Sequence, residues 1–533
     1  MRATRTDGRS TMFLLLATAL AMPCPTTSAP TADTTHGCVQ GLRDGAFEAF
    51  LGVPYAEPPV GDRRWARPEP KAPWGRLRAI SPGDHCPQTT GTLGGELGPG
   101  SGVEDCLYLN VVRPTGTAVG ADLPILFFTH GGSHTDGSGT QTLYLDRPEL
   151  VQQDVILVTH NYRLGQLGWL GHPAMSAEDP DGTSANQGLM DTLLALQWVH
   201  DNAAAFGGDP DRITIFGESA GSANTCALLT TPASAGLFSG AILQSGPCVS
   251  DYAPLSGPTG PFQESSEDMG RRLGDALGCA DPDPTVELAC MRSRSTSEVM
   301  AVMQGRPGLL GAGESYTLVH DGVLLPRQPA EAFAQGAFHR VPVVVGSTGD
   351  EGSIFVIGDP GAQDWTALET RVRFWGLAAG IADRDALVAL YGPASYPDPE
   401  AAYAAFVGDT AFVCPGRALA RTLSDFVPTR LYSFERTPGF LPLYGAYHGA
   451  ELHYIFGTLP WYAGPNDRGL ADTMQQIWAW FARGTLVGPW PTVETGAGQG
   501  GTWARLDVPP SVTTGVRATQ CDFLEAQGWR ALP

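Results

Sequence analysis

The sequence predicts an α/β fold, a central and mostly parallel sheet flanked by helices, and three observations carry that expectation. Short apolar, β-branched runs recur along the chain. Helical stretches separate them. No composition break or Ser/Gly linker divides the 533 residues into independent parts. A single domain over residues 36–533, with helical and loop insertions above the functional edge, is the simplest organisation. With 42% hydrophobic residues the chain can bury a large core, and its 67 Gly and 44 Pro imply many turns and long surface loops.

The first element is a targeting segment. Arg2, Arg5 and Arg9 precede an apolar run at residues 12–22, and small residues follow through Ser28 and Ala29. A secretory signal over residues 1–32 is expected, cleaved near Ala29 to Ala32, which sends the protein to the periplasm, cell envelope or medium. The run is too short for a stable bilayer anchor. A lipid anchor at Cys24 is disfavoured because Ala21-Met22-Pro23 fits a lipobox poorly. No later segment is long and apolar enough to span a membrane.

Residues 50–55 read as a strand ending in a Pro-rich connection, and 107–112 as another. Residues 123–128 (Leu-Pro-Ile-Leu-Phe-Phe) form a stronger one, apolar on both faces as in a covered parallel sheet. Residues 155–159 repeat the pattern, 188–202 read as an amphipathic helix, and 213–216 as the next buried strand. After the strand at 213–216 comes Gly217-Glu218-Ser219-Ala220-Gly221, then a helix over 223–229 rich in Ala and Leu. Residues 241–243 and 341–345 continue the strand series. The stretch 358–436 reads as helix and loop, packed over the edge where the strands end, which is where ligands bind in such sheets.

The Ser219 segment has the context of a nucleophile elbow: a serine at a strained strand-to-helix turn, with small neighbours that avoid clashes. The following helix N-terminus favours negative charge near the serine oxygen. A serine hydroxyl needs a base, a group orienting that base, and donors for the developing oxyanion. His130-Gly131-Gly132-Ser133 follows the strand at 123–128, and its small residues let backbone N–H groups approach a substrate oxygen. The amide of Ala220 would be a further donor. His130 is expected to hold the glycine loop, and His134 to line the pocket entrance. Among eleven histidines, His448 stands between small residues in a loop, whereas His453 lies at a helix start. The acid follows the strand at 341–345, and mechanics leaves Asp350 and Glu351 both open. The order serine, acid, histidine is that of α/β-hydrolases.

The net charge of −22 and the absence of any basic run exclude nucleic acid as an expected partner. Lys71 is the only lysine. Ten cysteines fit an exported protein with structural disulfides. Spacing favours Cys86 with Cys106 and Cys279 with Cys290. No Cys-x-x-Cys motif, and no histidine pair at helical spacing beside a cysteine, suggests a metal site. No cofactor is expected.

Further motifs make the chain resemble the type-B carboxylesterase and cholinesterase family. They are Phe50-Leu51-Gly52-Val53-Pro54-Tyr55-Ala56-Glu57-Pro58-Pro59-Val60-Gly61, Glu104-Asp105-Cys106-Leu107-Tyr108-Leu109-Asn110 and Asn161-Tyr162-Arg163. Ala195-Leu196-Gln197-Trp198-Val199, Phe206-Gly207-Gly208-Asp209-Pro210, Asp350-Glu351-Gly352-Ser353 and His448-Gly449-Ala450-Glu451 complete the set. The resemblance runs from about residue 38 to the C-terminus. It implies an α/β-hydrolase fold and a serine carboxylesterase acting on small-molecule esters through an acyl-enzyme. It implies Ser219, Glu351 and His448 as the triad, with Gly132, Ser133 and Ala220 as oxyanion donors. It adds Cys414–Cys521 to the two disulfides above; pairing of Cys226 with Cys248 lies outside the common set. It also makes Arg64–Glu104 and Arg163–Asp191 structural ion pairs.

Two departures accompany the resemblance. Ser133 replaces the usual third glycine and is followed by His134 instead of an apolar residue. The loop between Cys86 and Cys106 is short, Gly-rich and without the tryptophan that holds a quaternary ammonium in choline-binding members, so cholinesterase activity is not expected. Alternatives on the same fold are a non-catalytic adhesion protein, or a lipase, thioesterase or amidase preference.

Overall fold

The structure is a computed structural model that describes residues 24–25, 27–88, 101–146, 148–259, 264–306, 309–310, 313–485, 490, 492 and 501–529. The apolar run at 12–22 and most of the Gly-rich loop between Cys86 and Cys106 lie outside the described residues.

Eleven strands form one sheet. In chain order they are β1 (Leu42–Asp44), β2 (Phe47–Pro54), β3 (Tyr108–Pro114), β4 (Leu123–Thr129), β5 (Ile156–His160) and β6 (Gly208–Glu218). Then come β7 (Gly240–Gln244), β8 (Val343–Thr348), β9 (Thr429–Phe434), β10 (Thr502–Leu506) and β11 (Ser511–Thr514). Their spatial order is β11-β10-β9-β8-β7-β6-β4-β5-β3-β2-β1. The block from β10 to β5 is parallel, and both flanks are antiparallel. This is the α/β-hydrolase arrangement that the resemblance implies. Strands β4, β5, β7 and β8 are buried along nearly their whole length, which is why they read as continuous apolar runs.

The direction in which successive strands are added to the sheet reverses around β4: β5 lies on one side of it and β6 on the other. Such a switch point opens a crevice at the carboxyl ends of the strands. The His130 loop follows β4 and Ser219 follows β6, so both stand at that crevice.

Several elements differ from expectation. The helix Gln187–Asn202 has eleven of its sixteen residues buried, including Gln187, Asp191 and Thr192, so it is not a one-sided surface helix. The helix Ala220–Thr230 is buried throughout. The stretch 358–436 contains the helices Trp365–Ala378, Arg384–Leu390, Pro399–Gly408 and Cys414–Ser424, but ends in β9. That strand is buried at every residue but Arg430, with polar and apolar residues mixed and no clean alternation. Only part of the stretch covers the crevice: the π-helical turn Asp409–Val413 sets Phe412 against His448, ring centroids 4.4 Å apart. The helix Cys414–Ser424 crosses over to pack on β8 and β9, while Leu368, Leu387 and Phe406 belong to a separate cluster with Cys414 and Cys521.

The described structure includes residues before 36. Thr31–Thr34 pairs antiparallel with Gly37–Gln40, and Cys24 is bonded to Cys38. Disulfides also join Cys86–Cys106, Cys226–Cys248, Cys279–Cys290 and Cys414–Cys521. The Arg64 and Arg163 guanidinium groups each grip a buried carboxylate through two nitrogens, Glu104 at 2.5 and 2.8 Å and Asp191 at 2.7 and 2.8 Å.

Candidate active site

Ser219 stands between the end of β6 and the helix Ala220–Thr230 with φ 57° and ψ −123°. A residue with a Cβ adopts such a backbone only when its surroundings enforce it. Here Gly217 and Gly221 allow the enforcement. A Cβ on Gly217 would meet the Gly221 carbonyl oxygen at 2.3 Å, and one on Gly221 would meet the Thr129 oxygen at 2.0 Å. The Ser219 amide donates to the Gln244 carbonyl at 2.9 Å, tying the turn to β7. Helix Ala220–Thr230 starts immediately after, so its unsatisfied amides face the crevice.

Glu351 follows β8 and His448 lies in the loop after β9. His448 Nδ1 donates to Glu351 Oε2 at 2.6 Å, and both side chains are almost fully buried. The other carboxylate oxygen, Oε1, accepts from Ser245 Oγ at 2.6 Å and from the Thr348 amide at 2.7 Å. Three donors therefore fix the carboxylate in place. Asp350, the alternative acid, is exposed; its Oδ2 accepts from the Ala446 amide at 2.8 Å and pins the histidine loop. Phe355 and Phe412 close over the imidazole.

The other imidazole nitrogen, Nε2, makes no hydrogen bond to Ser219 in this arrangement; it stands 3.0 Å from Glu218 Oε1. Such contacts are often loose before substrate binds. Glu218 and Glu451 are buried carboxylates beside the His448–Glu351 pair, and burial pushes both above the ordinary carboxylate range. Gln244 Nε2 donates to Glu451 Oε1 at 3.0 Å. Burial disfavours the His448 imidazolium, but the Glu218 and Glu351 carboxylates outweigh it and raise the ring to about 9. A proton on Glu218 would remove one of the charges that favour the imidazolium.

The loop after β4 carries Gly132 at φ 102° and Ser133 at φ 53°. A Cβ on Gly132 would meet the Asp136 carbonyl oxygen at 2.2 Å, so only glycine fits there. Gly131 packs on Ser219, its notional Cβ 3.0 Å from Ser219 Cβ. His130 is buried, stacks on Tyr162 at 4.4 Å and faces the Gly131 carbonyl with Nδ1 at 2.8 Å, a structural position. His134 does not line the entrance. It is 3% exposed, lies 4.1 Å from the Trp169 ring and has Nε2 3.0 Å from Asn224 Oδ1. The polar partner on the helix drew it inward. His453 packs on Phe440, away from the His448–Glu351 bond.

Sequence reasoning assigned no role to Glu218, Gln244, Ser245 or Glu451, although Glu218 and Glu451 stand inside quoted motifs. The available signal was a carboxylate adjacent to the serine, and another three residues after the histidine. A cavity of about 630 Å³ on the far side of Glu351 is lined by Asp409, Arg517 and Tyr396, and includes neither Ser219 nor His448.

A family profile described as "Carboxylesterase family" matches residues 28–524. The chain is 35% identical over 493 residues to a fumonisin B1 esterase from Sphingopyxis macrogoltabida, covering 88% of this chain and 85% of that protein. It is 32% identical over 461 residues to a para-nitrobenzyl esterase from Bacillus subtilis, covering 84% and 89%. It is also 34% identical over 538 residues to an acetylcholinesterase from Bungarus fasciatus, covering 92% and 85%.

Proposed function

The chain belongs to the carboxylesterase family, and from that premise we propose that it is an exported serine carboxylesterase working through an acyl-enzyme on Ser219. The observation that carries the reading is the 2.6 Å His448–Glu351 bond at the same crevice as a serine held at φ 57°.

In this reading His448 Nε2 takes the Ser219 proton as Oγ attacks the ester carbonyl carbon. Glu351, already bonded to Nδ1, fixes the tautomer and stabilises the imidazolium. The amides of Gly132, Ser133 and Ala220 receive the oxyanion, where one such donor is worth roughly 10²–10³ in rate. His448 returns its proton to the departing alcohol, and water repeats the sequence to free the acid. Glu218, beside Nε2, adds a second negative charge that favours the imidazolium.

The substrates proposed are small-molecule carboxylic esters other than choline esters, since the loop between Cys86 and Cys106 carries no aromatic for a quaternary ammonium. Export fits the five disulfides and the signal-like segment before Cys24. No helix among the described residues is long and apolar enough to cross a membrane.

The test is the burst and turnover of a chromogenic short-acyl ester by native protein and by Ser219→Ala. Loss of turnover in the variant, with one organophosphate adduct per native chain on Ser219, is expected. Native protein that neither turns over nor labels would leave a non-catalytic binding protein as the reading to pursue.

A further inference from the structure

The three amides proposed to bind the oxyanion come from two separate elements. Gly132 and Ser133 belong to the loop after β4, whereas Ala220 opens the helix after β6. Nothing covalent sets the spacing between them. An oxyanion hole depends on that spacing, because a displacement of about 1 Å in a reacting geometry can cost on the order of 10²-fold in rate.

The loop is also strained. Ser133 at φ 53° and His134 at φ 58° are consecutive residues with side chains in the left-handed region, a conformation that persists only where the surroundings over-determine it. Inside the turn, the Thr135 and Asp136 amides both donate to the Gly132 carbonyl, at 2.9 and 3.0 Å. These bonds shape the turn but do not fix it against the helix. The Gly165 amide donates to the His134 carbonyl at 2.7 Å and ties it to the neighbouring loop.

One link to the helix is a side-chain bond. His134 Nε2 lies 3.0 Å from Oδ1 of Asn224, four residues beyond Ala220 on the same helix. His134 is 3% exposed and Asn224 is fully buried. With Oδ1 facing the ring, Asn224 accepts and Nε2 carries the proton. Burial lowers the His134 ring to about 4, against the raising effect of Asn224 and of the Ala220 and Tyr316 backbone. The ring is therefore neutral through the working range and the bond does not switch with pH. Trp169 packs against the ring and fixes its orientation. An apolar side chain at 134 would fill the space but leave the Asn224 amide without this partner.

We propose that His134 is a positioning residue, and that its bond to Asn224 latches the oxyanion loop to the helix beginning at Ala220 so that the three donors converge. His134 touches no substrate in this role. The proposal rests on the serine-esterase reading above and deepens it, naming what replaces the usual apolar packing behind the hole.

The test compares native protein with His134→Phe, His134→Gln, Asn224→Leu and the Phe/Leu double variant, with rates expressed per active site titrated by organophosphate. His134→Phe and Asn224→Leu should each lower kcat about tenfold to a hundredfold, with KM changed less than threefold. The double variant should be no slower than the slower single, as two ends of one bond require. His134→Gln, which keeps an N–H donor, should recover most of kcat. Affinity for a trifluoromethyl ketone that forms a hemiketal on Ser219 should fall in step with kcat/KM, while affinity for the matching secondary alcohol stays constant. Asn224→Ser reads the same loss should a larger substitution fail to fold. Unchanged kcat per titrated site, losses that multiply in the double variant, or an alcohol affinity that falls with the ketone's would overturn the latch. Native protein that neither turns over nor labels at Ser219 would instead remove the esterase reading itself.

Discussion

Glu218 Oε1 stands 3.0 Å from His448 Nε2, while Glu351 Oε2 holds Nδ1 of the same ring at 2.6 Å. The imidazole therefore lies between two buried carboxylates, and a third, Glu451, contributes to the same field. In most sites built this way one carboxylate suffices to orient the base. The second changes when the ring gains its proton.

Glu218→Gln tests that consequence. Burial favours the neutral ring and the carboxylates favour the imidazolium, so removing the Glu218 charge lowers the His448 pKa from about 9. The acid limb of the kcat/KM profile should then move to lower pH, by about one unit. Maximal kcat should fall about tenfold, because the imidazolium formed in the transition state loses a charge partner. An acid limb that stays in place would show that Glu218 does not set the ring's protonation.

The neighbours Asp350 and Glu351 should separate cleanly. Glu351→Gln removes the acceptor for His448 Nδ1 and leaves the ring free to take the wrong tautomer, with an expected loss on the order of 10⁴ in kcat. Asp350→Asn keeps an oxygen that can accept from the Ala446 amide. Its kcat should stay within a few-fold of native. Steady-state kinetics on the two variants, with equal thermal midpoints as a control, decides the assignment.

Backbone approach at the elbow is testable through glycine. Gly221→Ala puts a Cβ 2.0 Å from the Thr129 carbonyl oxygen, pushing the helix off β4. A destabilisation of about 1–3 kcal/mol in urea melts is expected, with turnover lost because Ser219 moves with the helix. Gly469→Ala, in the exposed face of the helix Pro465–Ala482 with nothing within 4 Å of its notional Cβ, should instead gain about 0.5–1 kcal/mol. Equal effects at the two sites would discard the close-approach argument.

The Cys24–Cys38 bond makes the mature N-terminus a chemical question. If the signal is cut before Cys24, the exported protein contains five disulfides and titrates no free thiol under denaturing conditions. If it is cut near Ala29 to Ala32, Cys38 is left alone and one thiol per chain appears. Because Thr31–Thr34 is a paired strand, the first outcome is expected, and intact mass gives the cut site directly.

Local chemistry made the elbow legible. Gly217 and Gly221 flank Ser219 between an apolar β-branched run and an Ala-rich helix, and each glycine is required by a contact a few residues away or in the adjoining strand. The buried parallel strands were equally readable, because a strand covered on both faces is apolar without alternation. β9 was not, since Thr429-Arg430-Leu431-Tyr432-Ser433-Phe434 shows no clean alternation and sits inside a helix-rich stretch. The burial of the helix Gln187–Asn202 also escaped notice: its polar face is hidden by partners such as Arg163 on Asp191, which no periodicity reveals. Glu351 and His448 are 97 residues apart, and His134 and Asn224 are 90 apart. Residue type and local spacing determined which groups could do chemistry and on what fold. Only the tertiary structure decided that Glu218 faces the second imidazole nitrogen, that His134 turns inward to Asn224, and that Cys24 stays with Cys38. Those outcomes depend on how distant segments pack and on which buried polar group finds a partner, and neither is written in the period of a sequence.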